Sequence, residues 1–208
     1  MTLICFSCKK DKSLNQNQDQ NNTVTYSNYS KLTVGNYWVY ELFQVDTLGN
    51  ATLTNDIDSC YIENDTIIHG VTFYSYKTSS SYYNTPTKFI RDSLHYVVNN
   101  HGDILFSSQD FTTIFKTEYS INPPADTVMK SVYKMEDKNF TVSTPSGQYV
   151  TSDFRKTIYI YPNYVQYFHT KYMHTRYAEN IGIVIENLLT WFNSPYYVER
   201  RLIRFHLN

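Results

Sequence analysis

Few residues in this 208-residue chain stand at spacings that do chemistry. Cys5-Phe-Ser-Cys8 has the spacing of a redox or zinc pair. Zinc needs two further ligands, and no second CxxC or paired His motif offers them. A thioredoxin-type site needs a βαβ setting, which the pattern lacks. Glu63 and Asp65 would share a strand face and imitate a glycosidase carboxylate pair. They also fit a solvated face just before the turn at His69-Gly70, and that reading is preferred. His169 and His174 are five apart, so a regular strand turns them to opposite sides and they share no metal. His69 and His101 fall in turns and are expected to be solvated, and Cys60 reads as a packed thiol. HExxH, GxSxG, Walker and GxGxxG patterns are absent. The sequence assigns no catalytic residue, no metal and no cofactor, and a hydrolase with dispersed carboxylates is kept as the alternative.

The N-terminus offers a different chemistry. A short apolar stretch ends in Ser7-Cys8 and meets Lys9-Lys10-Asp11 at once. This resembles the end of a lipoprotein signal peptide, in which a small residue precedes the cysteine that is acylated. Residues 1–8 are therefore read as a signal-peptide remnant and Cys8 as the lipidation site, with a membrane as partner. Residues 9–28, rich in Asn and Gln, cannot bury enough apolar surface to offset ordering entropy and read as a flexible tether. About 20 such residues span roughly 25 Å as a coil. Only Cys60 would remain in the processed chain, so no internal disulfide is available.

Residues 29–208 must supply the fold. Tyr (21) and Phe (12) dominate over Met (4), a composition that suits pleated, half-buried strands. Strands are expected at Tyr37–Val45, then again after the turn at Leu48-Gly49-Asn50. Cys60–Ile68 and Val71–Lys77 should pair about His69-Gly70, and Lys88–Val98 with Ile104–Ser107 about the turn at 99–103. Val128–Met135, Asn139–Val142, Phe154–Tyr161, Tyr164–Thr175 and the pair Gly182–Trp191 with Tyr196–Leu207 follow. In the last strand Ile203, Phe205 and Leu207 share one face, and Arg200-Arg201 reads as solvated. No segment keeps a 3.6-residue stripe over three turns. Such sequence-local hairpins predict one all-β domain, a large curved antiparallel meander sheet or partly open barrel, with a two-layer β-sandwich as the alternative.

A net charge of −1 offers no field for nucleic acid. No apolar run is long enough for a membrane-spanning helix. The aromatic excess is the one hint of a ligand. Tyr82, Tyr83, Tyr159, Tyr161, Tyr164 and Tyr167 are candidates for a surface that stacks on a glycan or holds a hydrophobic molecule, although Tyr also serves simply to cover sheet faces. A protein partner is a third candidate.

Four stretches carry a family resemblance. Leu32-Thr-Val-Gly-Asn-Tyr-Trp-Val-Tyr40 resembles the start of a group of uncharacterised lipoproteins of Bacteroidetes-type bacteria. Arg91-Asp92 leading to His95-Tyr96 and Gly102-Asp-Ile-Leu-Phe106 resembles a middle segment of that group. Val142-Ser-Thr-Pro-Ser-Gly-Gln-Tyr149 is similar to its V-P-A-G turn, in stretched form, and Tyr177-Ala-Glu-Asn-Ile-Gly-Ile-Val184 to its late turn. The resemblance implies a curved sheet like the half-barrels of lipoprotein carriers and an outer-membrane location, on either the periplasmic or the surface side. It implies no activity. In bacteria of this type an Asp-Ser/Thr-apolar triplet is O-glycosylated, which makes Thr47, Thr66, Ser93 and Thr127 candidate sites. Gly35, Gly147 and Gly182 read as turn or close-approach positions, and Trp38 as a buried residue of the first strand.

Overall fold

The computed structural model describes residues 25–79, 86–122, 126–188 and 194–208. Cys8, Tyr82 and Tyr83 lie outside these, as do nearly all of the expected tether and the centre of the break at Pro123-Pro124.

Among the described residues thirteen strands form one antiparallel sheet, and there is no α-helix. β1 (Tyr37–Val45), β2 (Ala51–Ile68), β3 (Val71–Ser79), β4 (Lys88–Ser93), β5 (Tyr96–Asn99) and β6 (Ile104–Ser107) run as one meander. The second half comprises β7 (Lys116–Asn122), β8 (Asp126–Met135), β9 (Phe140–Thr144), β10 (Gly147–Ile160), β11 (Lys171–Ala178), β12 (Gly182–Leu188) and β13 (Tyr197–His206). The halves join where β1 pairs β13. β10 pairs β9 along its first part and β8 along its second.

The sheet curls until β6 and β7 approach, and this seam has no backbone ladder among the described residues. Side chains cross it instead: Lys116 Nζ lies 3.1 Å from Asp103 Oδ1, and Phe115 meets Tyr96 edge to face. The result is the partly open barrel that the hairpin pattern predicts. The sandwich alternative fails because every strand belongs to one continuous sheet.

The hairpin at His69-Gly70 forms as expected, with φ of 50° and 79° at the two turn residues. Elsewhere the reading needs correction. Ala51–Ile68 is a single strand of 18 residues whose pairing is re-set by bulges rather than broken. Lys88–Val98 is two strands, because Leu94 takes φ 57° and turns the chain. β7 went unread. The expected strand over Tyr164–Thr175 starts only at Lys171. Pro162 fixes the first φ of a 3₁₀ turn, Pro162–Tyr164, and Tyr164 O then accepts from both Tyr167 N and Phe168 N.

Side chains alternate between a packed interior and an outer wall. Trp38, Tyr40 and Leu42 of β1 are buried, with Leu202 and Val198 of β13 beside them. Arg200 stands between those two and is also buried, which overturns its reading as solvated. The bulge opposite Val39/Tyr40 re-phases β13, so its buried face is Val198, Arg200, Leu202, while Phe205 is exposed and only Leu207 of the expected face packs on the core.

The four motif stretches meet in the main core. Trp38 Nε1 donates to Ile181 O at 2.7 Å, and Tyr40 Oη donates to Ile183 O at 2.9 Å. Gly182 has φ +107°, and a Cβ there would lie 3.2 Å from Trp38 Nε1, so the backbone can come this close only as glycine. Phe106, Val142 and Tyr177 join the same cluster. Ser146 of the third motif fastens its turn to Leu202 O through both its N–H (3.1 Å) and its hydroxyl (2.9 Å).

Candidate functional site

Two groups of polar side chains are set among aromatic rings. The first is a belt inside the barrel. Arg200 pairs with Glu186 on the neighbouring β12, donates through Nη1 to Cys60 Sγ at 2.9 Å, and lies over the Tyr40 ring. Cys60 is a buried free thiol, as expected of a packed one. Burial alone would raise the Glu186 carboxyl, but the Arg200 charge, then Lys88, hold it below its usual range. Burial raises the Tyr40 and Tyr76 hydroxyls well above theirs. The belt uses nearly all its hydrogen-bonding capacity on itself, with only Arg200 Nε left unpartnered. It is a structural network.

The second group lines a cleft of about 90 Å³ at the end of the barrel where the N-terminal segment arrives. Asn28 Oδ1 accepts from Ser30 N and Lys31 N, which curls that segment. Asn28 O accepts from Asn180 N, and Ser30 Oγ lies 2.6 and 2.8 Å from the two Asp92 carboxylate oxygens. Ser30 thereby docks the segment on the β4–β5 hairpin, and Asn28 docks it on the turn between β11 and β12. Tyr26, Tyr29, Tyr96 and Phe106 supply the rings. His95 lies between Tyr96 (centroids 3.9 Å) and Tyr26 (5.7 Å), and Tyr29 packs on Phe106 at 4.8 Å.

Three features separate this cleft from the belt. Asp92 makes no ion pair among the described residues, and the protein packed around its carboxyl raises its pKa, an effect Ser30 only partly offsets. His95 Nδ1 is closed off from water with no partner. Leu94, at the rim, is 70% exposed yet holds φ 57°, a conformation that a branched residue adopts only under constraint.

The residues singled out earlier are dispersed. Tyr159, Tyr161 and Tyr167 are exposed, while Tyr164 bonds Asp126 Oδ2 at 3.0 Å; none lines the cleft. Thr47 is exposed in the β1–β2 turn, and Thr66, Ser93 and Thr127 are partly exposed on β2, β4 and β8. Glu63 and Asp65 are exposed, and Glu63 pairs with Lys77. His69 and His101 are exposed in their turns. His174 Nδ1 lies 2.6 Å from the buried Asp153 Oδ2, an acid–imidazole pair that spacing gave no sign of. The residues beside it on neighbouring strands are Arg155 and Asn187, neither a nucleophile. No group of three His, Cys, Asp or Glu able to hold a metal occurs among the described residues.

The cleft itself was invisible to sequence reasoning because Ser30 and Asp92 are 62 positions apart. The one available signal was that Asp92, His95 and Phe106 fall within a single motif stretch.

No protein-family model matches the chain, and no curated protein matches it. Among solved structures, it is similar to an exported protein of Bacteroides fragilis with a YmcC-like fold, at 14% identity and a TM-score of 0.47, over 86% of this chain and 99% of that one. It is also similar to a lipoprotein of Parabacteroides distasonis, at 12% identity and a TM-score of 0.45, over 88% of this chain and all of the other. Both likenesses are loose.

Proposed function

We propose that this is a non-catalytic, lipid-anchored protein of the bacterial envelope that captures a small ligand group in the cleft between its N-terminal segment and the β4–β5 hairpin. The observation that carries the reading is the aromatic-lined cleft itself, in which Asp92, an exposed carboxylate held by Ser30 and without a cation partner among the described residues, is the one charged lining group. The belt, equally rich in chemistry, is closed on itself. Support for the anchor comes from Ser7-Cys8-Lys9-Lys10, and from the four motif stretches with their resemblance to envelope lipoproteins. One acyl chain binds membranes marginally and several together bind stably, so lipidation at Cys8 would hold a domain that has no spanning helix among its described residues.

Two experiments test the reading. In a chain carrying a complete signal peptide, Cys8→Ser should move the protein out of the membrane fraction; persistence on membranes at unchanged mass removes the anchor. For the cleft, saturation-transfer NMR against a mixture of small sugars, amines and amino acids should detect binders with the wild type and none with Ser27→Phe, which fills the lining at an exposed residue. Equal signals from both proteins, or none from either, would remove the cleft as the site.

A further inference from the structure

We infer that the group taken by the cleft is an ammonium, primary or methylated, on a short stem. This rests on the cleft being the ligand site and adds the class of ligand.

The first ground is charge. Among the ten lining residues Asp92 is the only one with a formal charge, and no Lys or Arg is present. Arg91 is next in sequence, but a strand sends neighbours to opposite faces. Its guanidinium lies over the Phe73 ring and bonds the Asp92 carbonyl, not the carboxylate. Glu179 adds further negative potential, felt at Tyr29. An anionic ligand would meet the Asp92 charge with no cation in the lining to offset it.

The second ground is the wall. Three tyrosines, a phenylalanine and the His95 imidazole line the cleft together with one carboxylate. The negative ring faces attract a cation, and tyrosine cages are the common means of holding methylated ammonium groups. The Asp92 oxygens accept from Ser30, and each keeps lone-pair capacity for an N–H donor.

The third ground is size. At about 90 Å³ the cleft is smaller than the cavity of about 150 Å³ that admits benzene. A whole pyranose ring or an acyl chain does not fit inside. A primary or monomethylated ammonium does, with the rest of the ligand outside the mouth. The shared chemistry has two sources in an envelope, a lipid headgroup amine and an amino sugar.

The test is an NMR titration of the purified domain with methylammonium, ethanolamine, glucosamine and, as a neutral control, glucose. The expected result is that the ammonium probes shift the amide signals of Leu94–Val97 saturably and glucose does not. The larger affinity among ethanolamine and glucosamine tells the headgroup source from the sugar. Asp92→Asn, which keeps the shape, should weaken ammonium binding by about tenfold or more, since a hydrogen bond to a charged group is at stake. Ser27→Phe should abolish it. Circular dichroism of both variants confirms the fold. If glucose binds wild type and is lost in Ser27→Phe while the ammonium probes do nothing, the ammonium assignment is wrong and the cleft survives as the site. If nothing binds, both fall. Ammonium shifts that are equal in Asp92→Asn overturn the assignment as adventitious contact.

Discussion

The interior belt and the terminal cleft are made from the same materials: a carboxylate, aromatic rings and one further nitrogen- or sulfur-bearing side chain. What separates them is partnership. In the belt, Glu186 has Arg200, Cys60 has Arg200, and the Tyr40 hydroxyl has Ile183 O. In the cleft, Asp92 has only a serine and His95 Nδ1 has nothing. Buried polar groups cost free energy until they are matched. The belt leaves one guanidinium nitrogen, Arg200 Nε, unmatched and its charges paired. The cleft leaves His95 Nδ1 unmatched and holds an exposed carboxylate, Asp92, that no cation among the described residues neutralises. Residue types alone would have ranked the belt first.

The comparison can be broken at the belt. Arg200→Met strands the Glu186 charge and should cost about 3–5 kcal/mol, whereas Arg200→Met with Glu186→Leu should recover most of it, because an apolar pair of like volume replaces a desolvated ion pair at little cost. Denaturant midpoints read both. A single variant as stable as wild type would show that the pair is solvated. Trp38→Ala should cost a similar amount, about 3–5 kcal/mol, through loss of the ring that fills the space against Gly182 and of its bond to Ile181 O.

A smaller effect is expected with pH. Glu186 is held below the ordinary carboxylate value of 4.5, so its contribution to stability is fully present above that pH and fades as pH falls through the lower folded value. The thermal midpoint should therefore drop in acid, and the drop should shrink in the Arg200→Met, Glu186→Leu protein. An identical acid profile in the two would assign the loss to other carboxylates. The smallest effect sharpens the cleft. Leu94→Gly relieves a positive φ that costs about 1–2 kcal/mol but loosens the unfolded chain by a similar amount, so stability should change by less than about 1 kcal/mol. A large destabilisation would mean that Leu94 is held by packing and not by the turn.

How much of this was legible follows from range. The His69-Gly70 hairpin, the Trp38 position and the single curled sheet rest on turn chemistry and alternation, which act between near neighbours. Arg200 was misread because a charged residue on a strand looks solvated unless its partner is known, and Glu186 lies on another strand. β7 was missed because Lys116-Thr-Glu-Tyr-Ser-Ile-Asn122 mixes charge and polar groups without clean alternation. Tyr164 was misplaced because a tyrosine-rich run has high strand propensity, which Pro162 overrode locally. The cleft depends on a docked segment, a strained leucine where a glycine is usual, and the absence of a counter-ion. None of these is a motif.

The most direct test of the account follows the two regions at once. Side-chain nitrogen spectra should be recorded for His95 and for the Arg200 Nε–H during titration with methylammonium. The account predicts that the His95 signals move with the probe while Arg200 stays fixed. Movement of Arg200, or a still His95 at saturating probe, would contradict it.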